Sequence, residues 1–271
     1  MCLIAWRWSP TGETPLLWAA NRDEFAHRAT APLQAWHHGN ATIYSGLDLA
    51  LEAHNGVLGT WSGFSNTGRF AWLTNIRSPA DKNPQAPSRG HLVSAYLASN
   101  HLSPREYLSA LKPKAPRYNG FNLVLGHIHA NPAQSECWHF NARTLQARRL
   151  PAGVYGLSNA NLDTPWPKTQ ALVQALTLAG AQLVGAKTTL FSALENSKTY
   201  PTNALPATGL PVELEQTLSA AFIATRVRGE AYGTRACTVG KVQNAKVSLE
   251  ERSYDAQGLC SGVQKLSFDF V

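Results

Sequence analysis

The chain is 271 residues long, with 44% hydrophobic residues, 15% charged residues and eight Trp. This composition is typical of a compact globular protein and excludes an intrinsically disordered chain. The length is compatible with a single domain over residues 1–271, because layered folds of helices and sheets often reach this size. The formal net charge of +7 favours anionic small molecules, but Lys and Arg are dispersed without a basic run, so no nucleic-acid partner is expected.

The N-terminal region and the cysteines bear on cellular location. Charged, Pro and Gly residues interrupt the apolar runs among the first twenty residues, so we expect neither a signal peptide nor an integral membrane segment. The cysteines show no CxxC pair or short Cys/His spacing, which argues against a zinc site and a disulfide framework. They are Cys2, Cys137, Cys237 and Cys260. We therefore expect a cytoplasmic protein with no metal site.

Strand signals come first along the chain. Apolar runs at 3–8 and 16–20 flank the turn sequence Ser-Pro-Thr-Gly and predict a hairpin. A second hairpin is predicted within 56–76, where Asn66-Thr67-Gly68 supplies a turn whose glycine can adopt positive φ.

Helix signals follow a polar, proline-rich loop at 78–87. Ser88 precedes an apolar pattern with helical spacing. Ser103 opens the sequence Ser-Pro-Arg-Glu, which offers a capping residue, Pro at the first helical position and Glu at the third. Both positions predict the start of a helix.

The second half of the chain repeats this order of strands and then helices. A strand meander is predicted at 121–128, 136–140 and 145–150, leading to 153–156. The remaining predicted elements are helices at 164–180, 187–194 and 212–222 and strands at 234–242, 246–254 and 263–270. Each amphipathic helix must bury its apolar face on a sheet, so this order predicts an α+β fold of two packed sheets covered by helices.

Cys2 is the first candidate for chemistry. A small second residue generally permits removal of the initiator Met, which would leave one residue with both a thiol and a free α-amine. The reference pKa is about 7.7–8.0 for the amine and about 8.5 for the thiol. Near neutral pH the amine can therefore accept the thiol proton, directly or through one water. An ordinary small residue at position 2 is the alternative.

One tetrapeptide and three longer blocks resemble a known family. Asn21-Arg22-Asp23-Glu24, which follows an N-terminal Met-Cys and a predicted hairpin, resembles the signature of the NRDE family, which includes the transport and Golgi organisation proteins. Residues 59–77, 154–168 and 231–235 are similar to its other characteristic blocks. This family resembles the N-terminal-nucleophile hydrolases of the choloylglycine hydrolase and penicillin V acylase type, which cleave non-peptide amides with an N-terminal Cys. The resemblance implies a four-layer αββα sandwich.

The same resemblance implies roles for individual residues. Cys2 would be the nucleophile, Asp23 would orient its α-amine, and Asn75 would donate an amide hydrogen to the oxyanion. Asn159 would be a second polar positioning group. Arg235 would be a cation near the thiolate, which favours the charged form of a thiol. Donors aimed at an oxyanion each lower the barrier by about 3–4 kcal/mol.

Each of these polar residues also has a simpler alternative. Asp23 could close a turn, Asn75 could cap a strand, and Arg235 could pair with a carboxylate. The acylases have an Arg three residues before the Asp, whereas Arg22 directly precedes Asp23 here. On a strand these two side chains face opposite sides.

Two functions stay open. The first is a thiol-dependent amidohydrolase that acts on a small linear amide and requires no cofactor. The second, implied by the eukaryotic branch of the family, is a binding or trafficking protein for haem, acyl-coenzyme A or other lipid-related metabolites. Arg22, Trp61 and Trp72 are the candidate substrate-binding residues, and they suit a ligand with an apolar body and an anionic group.

A haem ligand would have to be a His or a Cys, because Met1 is the only methionine. His127 and His129 lie two residues apart at the end of a predicted strand and therefore share a face, although such pairs are more often edge residues. His37-His38 is assigned to a loop. A scaffold role is the weakest hypothesis, because the sequence contains no repeat and no coiled coil.

Overall fold

The computed structural model describes residues 3–50, 58–99, 101–181 and 185–270; Met1 and Cys2 lie outside the described residues. The strands of the first half of the chain are β1 Leu3–Trp8, β2 Leu16–Phe25, β3 Thr30–His38, β4 Ala41–Asp48, β5 Ser62–Ser65, β6 Arg69–Asn75 and β7 Phe121–His127. Those of the second half are β8 Glu136–Asn141, β9 Gln146–Arg149, β10 Gly153–Leu157, β11 Ala224–Val227, β12 Glu230–Gln243, β13 Lys246–Tyr254 and β14 Cys260–Asp269. The α-helices are α1 Gly90–Ala98, α2 Pro104–Leu111, α3 Pro167–Ala181, α4 Ala186–Leu194 and α5 Val212–Thr217.

The strands form two antiparallel sheets. Sheet A has the order β10-β1-β2-β12-β13-β14, with β11 paired to the beginning of β12. Sheet B runs from β3 to β9 in chain order, as a meander. The two chain halves therefore interleave in sheet A, where β2 lies between β1 and the long strand β12.

Three apolar clusters separate four layers. The first lies between the sheets and includes Trp6 and Trp18 of sheet A and Trp72 of sheet B. The second lies between sheet B and the helices α1 and α2, and the third lies between sheet A and the helices α3 and α4. The architecture is a four-layer αββα sandwich of class α+β, as the sequence predicts.

Strand β2 shows why this arrangement follows from the sequence. Leu16, Trp18 and Ala20 face the inter-sheet cluster, while Leu17 and Ala19 face the helices. Both faces of the strand are buried, so its sequence is a continuous apolar run and not an alternation of apolar and polar residues.

Glycines make room for aromatic rings between the sheets. Gly126 lies directly opposite Phe70 in the register of β6 and β7, and a Cβ at Gly126 would come within 1.9 Å of the Phe70 ring. Gly240 lies opposite Trp18 in the same way, and there the distance would be 2.1 Å. In both pairs an aromatic ring lies across the bare backbone of its neighbouring strand, a known device for pinning register.

The predicted helix at Ser103 is confirmed in detail. The Ser103 hydroxyl accepts from the backbone N–H of Glu106 at 3.2 Å, and the Glu106 carboxylate accepts from the backbone N–H of Ser103 at 2.8 Å. This reciprocal capping box satisfies two of the free amide donors of helix α2.

The C-terminal helix is shorter than the sequence predicts. The expected helix ends at Phe222, whereas α5 ends at Thr217. The buried ammonium of Lys168 donates to the backbone carbonyls of Leu218 at 2.8 Å and Ala220 at 3.3 Å. In a helix that continued to Phe222, the carbonyls would point along the helix axis. Here the carbonyls of Leu218 and Ala220 accept from Lys168 instead, so the helix ends before them.

The sequence prediction also misses strands β3, β4 and β11, and it starts α3 at residue 164 where the structure starts it at Pro167. The assignment of His37-His38 to a loop is wrong, because both residues end β3, where the His37 ring bonds to the Thr42 hydroxyl across the hairpin. Strand β3 is an edge strand with mixed exposure and a register shift beside Pro32. Such strands lack a clear period-2 pattern.

Replacing Gly126 with Ala tests the ring-over-glycine packing. The added methyl group would overlap the fully buried Phe70 ring, so we expect the free energy of unfolding to fall by about 1–3 kcal/mol. Gly262→Ala is the matched strand control, because a Cβ there would meet nothing within 4 Å, and it should change stability by less than about 0.5 kcal/mol. Chemical denaturation of both variants measures the difference. Equal effects would contradict this packing model.

Candidate active site

The segments that carry Asp23 and Asn159 lie at one end of the sandwich. Leu3, the first described residue of β1, pairs with Asn21 of β2, and Ile4 pairs with Leu157, the last residue of β10. The start of β1, the NRDE tetrapeptide and the segment after β10 therefore lie at the same end of sheet A.

Asn159 joins this end of sheet A to sheet B. The side-chain amide of Asn159 donates to the backbone carbonyl of Asn75 at 2.9 Å. The backbone carbonyl of Asn159 accepts from the backbone N–H of Arg77 at 2.8 Å. The structure thus brings Asn75 and Asn159 together through the Asn75 backbone. Strand alternation places the Asn75 side chain on the same face as Leu73, which belongs to the helix-covered cluster.

Asp23 is buried against strand β12. One of its carboxylate oxygens accepts from the Thr234 hydroxyl at 2.7 Å, and that hydroxyl accepts from the backbone N–H of Ile223 at 3.0 Å. Asn21, two residues earlier on the same face, donates its amide to the backbone carbonyls of Leu194 and Ala221. Asn21 therefore fastens the end of α4 to sheet A, and Asp23 fastens the segment before β11 through Thr234.

Arg22 faces the opposite side, towards the inter-sheet layer, as strand geometry predicts. Its guanidinium lies 4.2 Å from the centre of the Trp61 ring, which is a favourable cation–π geometry. Burial lowers the pKa of Arg22, while the nearby Glu24 and Asp48 carboxylates act to raise it. Two of the predicted substrate-binding residues, Arg22 and Trp61, are therefore in direct contact.

Trp72, the third predicted substrate-binding residue, is in the packed interior. Its side chain is 1% exposed, and its ring lies against those of Trp6 and Trp18 at centroid distances of 5.7 and 5.6 Å. The structure gives Trp72 a packing role, and a substrate contact would require the inter-sheet layer to open.

Arg235 is the extra residue of a β-bulge. Asp23 pairs with Thr234 and Arg22 pairs with Ala236, so Arg235 has no partner residue on β2. Its guanidinium donates to the backbone carbonyls of Tyr254 at 3.1 Å and Ala26 at 2.8 Å. The structure thus holds Arg235 through backbone carbonyls, and among the described residues no carboxylate forms with it the ion pair that the simpler alternative expects.

An ion pair that sequence reasoning missed supports Asn159. Arg77 donates to the Glu215 carboxylate at 2.5 Å and to the Asn159 side-chain oxygen at 3.4 Å, and its guanidinium lies 5.0 Å from the Trp166 ring centre. Glu215 also accepts from the Thr208 hydroxyl. The partners are 138 residues apart in the chain, and no local pattern marks such a pair.

A buried histidine adjoins the same end of sheet B. The His139 ring donates from Nε2 to the Asn122 side-chain oxygen at 3.1 Å, and the Asn122 amide donates to the Ala160 carbonyl at 2.7 Å. Burial, and secondarily the positive charge of Arg148, lowers the pKa of His139 to about 4. His139 is therefore neutral at pH 7.

The described cysteines differ in accessibility. Cys137 and Cys237 are buried, and burial raises the pKa of both thiols, which makes them poor nucleophiles. Cys260 is exposed. Among the described residues no group of three His, Cys, Asp or Glu side chains could hold a metal ion, and none of the described helices is long and apolar enough to span a bilayer.

The family model described as Transport and Golgi organisation 2 matches residues 1–256. The chain belongs to this family. A bovine homologue named Transport and Golgi organization protein 2 homolog is 34% identical over 267 residues, and the alignment covers 93% of each chain. The human homologue is 32% identical over 276 residues, again with 93% of each chain covered. Strand β14 lies beyond the matched residues of the family model.

Two solved structures of an enzyme are similar to this chain. Two variants of the conjugated bile acid hydrolase of Clostridium perfringens align with 99% of this chain and 92% of theirs, at 13% identity and TM-scores of 0.45 and 0.46. The four-layer architecture of this chain is established by its own two sheets and three apolar clusters.

Thr234→Val tests the support of Asp23. Valine keeps the shape of Thr234 but leaves the Asp23 carboxylate and the Ile223 N–H without this hydroxyl, so we expect a loss of about 2–4 kcal/mol of unfolding free energy. Thr234→Ser is the matched control, because it keeps the hydroxyl and removes one methyl group, worth about 1 kcal/mol. Urea denaturation of both variants distinguishes them, and a larger loss in the Ser variant would argue against the hydrogen bond.

His139 predicts an acid-sensitive stability. Its folded pKa of about 4 lies below the unfolded value of about 6.5, so the unfolded chain binds more protons between these values. The stability contribution is complete above pH 6.5 and is lost as the pH falls through 4, by up to roughly 3 kcal/mol. His139→Gln should flatten the dependence of unfolding free energy on pH in that window. An unchanged pH profile in denaturant titrations would refute this assignment.

Proposed function

We propose that this protein is an N-terminal-cysteine amidohydrolase that cleaves a small linear amide, with Cys2 as its nucleophile after removal of Met1. The observation that carries the proposal is the bond between Asn159 and Asn75 at the end of the sandwich where β1 begins. It joins two of the predicted polar groups across both sheets, and Asp23 is held on the neighbouring strand. Family membership and the αββα architecture support the proposal.

In the proposed reaction the free α-amine of Cys2 accepts the thiol proton, and the thiolate attacks the amide carbonyl. The α-ammonium then protonates the leaving amine as the C–N bond breaks, which leaves a thioester. Water hydrolyses the thioester, with the α-amine as base, and restores the thiol. Asp23 would orient the amine throughout.

Charge on the tetrahedral intermediate needs fixed donors. One amide hydrogen of Asn159 is engaged by the Asn75 carbonyl, which leaves its second hydrogen for an oxyanion. The Arg77–Glu215 pair holds the Asn159 side-chain oxygen on its other side. A donor fixed in this way requires no reorganisation during the reaction, and removing such a donor typically costs about 10²–10³ in kcat.

The proposed substrate carries an apolar body and an anionic group. Arg22 is a buried cation stacked on Trp61 and directed between the sheets, which suits a carboxylate or phosphate partner. The cytoplasmic location expected from the sequence is part of the same proposal.

Binding of haem or acyl-coenzyme A is the alternative function. The His127 and His129 ring centroids lie 3.7 Å apart with the rings tilted by 39°, and the His127 ring bonds to the Thr67 carbonyl. Two axial ligands must approach a haem iron from opposite faces of the porphyrin, so two rings in direct contact do not fit a site with two histidine ligands. A reactive Cys2 thiol would favour the amidohydrolase over this alternative.

Intact-protein mass spectrometry with a thiol-reactive probe tests the amidohydrolase. We expect Met1 to be absent and Cys2 to react fastest at neutral pH, because its amine assists ionisation. Cys2→Ala should abolish the fast labelling, and Cys260→Ser should leave it intact. Asn159→Ala should lower turnover of an N-acyl amide panel by about 10²–10³.

A blocked N-terminus, or labelling confined to Cys260, would refute the enzymatic proposal. Haem and acyl-coenzyme A titrations of the same preparation would then test the binding function.

A further inference from the structure

A groove with a basic rim lies on the opposite face of sheet B from the inter-sheet layer. Helix α2 forms one wall and the hairpin of β8 and β9 forms the other, and the open groove has a volume of about 520 Å³. Its lining, here called the basic groove, consists of Arg105, Leu108, Ser109, Lys112, Trp138, Leu145, Gln146, Ala147 and Arg148. It shares no residue with the candidate active site.

The charges of the basic groove have one sign. Arg105 and Lys112 are exposed and line it, and none of its lining residues is acidic. Arg148 pairs with His139, which faces the inter-sheet layer, so the Arg148 side chain leaves β9 on the face turned away from the groove. Within the described part of the chain, neither Arg105 nor Lys112 has an ion pair or a side-chain hydrogen bond. Arg105 lies in the first turn of α2 and Lys112 directly follows its last residue, so the two charges lie about two helical turns apart along the groove.

The floor of the basic groove is apolar and rigid. Trp138 is half-buried, and its indole N–H donates to the Glu136 carboxylate at 2.7 Å, which fixes the ring and leaves its face to the groove. Leu145, in the turn between β8 and β9, continues this apolar surface. A single apolar side chain could anchor here between the flanking cations.

The hairpin wall offers backbone groups as well. Strand β9 is the last strand of sheet B and pairs with β8 on one side only. An edge strand presents unpaired N–H and C=O groups to an extended peptide.

Two other anionic partners fit less well. A compact phosphate site would use the free amides of a helix N-terminus, but at the start of α2 Pro104 has no N–H and the Ser103 hydroxyl accepts from the N–H of Glu106. A membrane surface requires protruding apolar residues, and the large hydrophobic residues exposed in the described chain lie elsewhere: Leu49, Leu178, Val212, Leu259 and Val263.

We propose that the basic groove is a docking site for an acidic, extended peptide segment of a partner protein, anchored by one apolar side chain on Trp138 and Leu145. The Arg105 and Lys112 cations complement the acidic residues, and the β9 edge pairs with the peptide backbone.

Fluorescence anisotropy of a short labelled peptide of Glu and Asp with a central Leu tests this site on the full chain. We expect saturable binding that weakens as salt rises. The double variant Arg105→Glu, Lys112→Glu should raise the Kd by at least about 10-fold. The charge-matched control Lys241→Glu, Lys246→Glu alters exposed lysines on other elements and should leave the Kd within about threefold of the wild-type value. Replacing the central Leu of the peptide by Ser should weaken binding about 3–10-fold.

Thermal denaturation verifies that the variants are folded, and the variant Arg105→Gln, Lys112→Gln replaces the charge-reversal variant if that variant is not folded. Absence of peptide binding at low salt would overturn the proposal. Equal losses in the groove and control variants would also overturn it, because they would indicate attraction to net charge alone. Tighter binding of anionic lipid vesicles or of a single-stranded oligonucleotide, with the same dependence on the groove cations, would replace the peptide with that partner.

Discussion

The buried aromatic layer between the two sheets is the constraint on which the rest of the structure depends. The rings of Trp6 and Trp18 lie 5.7 and 5.6 Å from that of Trp72 between centroids, and Phe70 lies 4.9 Å from Trp72. Stacked sheets lie about 10 Å apart, and glycines on neighbouring strands make room in that space for Trp18 and Phe70. This layer sets the distance between the sheets. That distance allows Asn159, which follows β10 of sheet A, to bind the carbonyl of Asn75 at the end of β6 in sheet B.

Strand alternation gives the NRDE tetrapeptide two separate tasks. Asn21 and Asp23 face the helix layer, where they bind backbone and hydroxyl groups of the C-terminal half of the chain. Arg22 and Glu24 face the side of the inter-sheet layer, where Arg22 stacks on Trp61. A strand buried on both faces tolerates polar residues only if each finds a partner. The tetrapeptide is therefore a junction that holds three layers in register at the end of the sandwich where β1 begins.

Local sequence signals predicted the parts of the fold that have local causes. The capping box of α2 and the turn at Asn66-Thr67-Gly68 depend on residues three or four positions apart, and both could be predicted from the sequence. The end of α5 depends on Lys168, some fifty residues away, and the support of Asn159 depends on a pairing of Arg77 with Glu215 across 138 residues. The site residues named from the sequence came from a family resemblance. The groups that hold them have no local signature.

Neutral amides make several of the polar contacts at the candidate site. Asn21, Asn122 and Asn159 each donate a side-chain N–H to a backbone carbonyl, and all three are buried. An amide keeps the same charge across the physiological pH range, so these contacts do not weaken when a neighbouring group gains or loses a proton. The proposed chemistry requires that property, because the thiol and the α-amine of Cys2 would exchange a proton near neutral pH. A carboxylate or a histidine in the place of these asparagines would itself respond to that charge, whereas the amides hold the geometry through both protonation states.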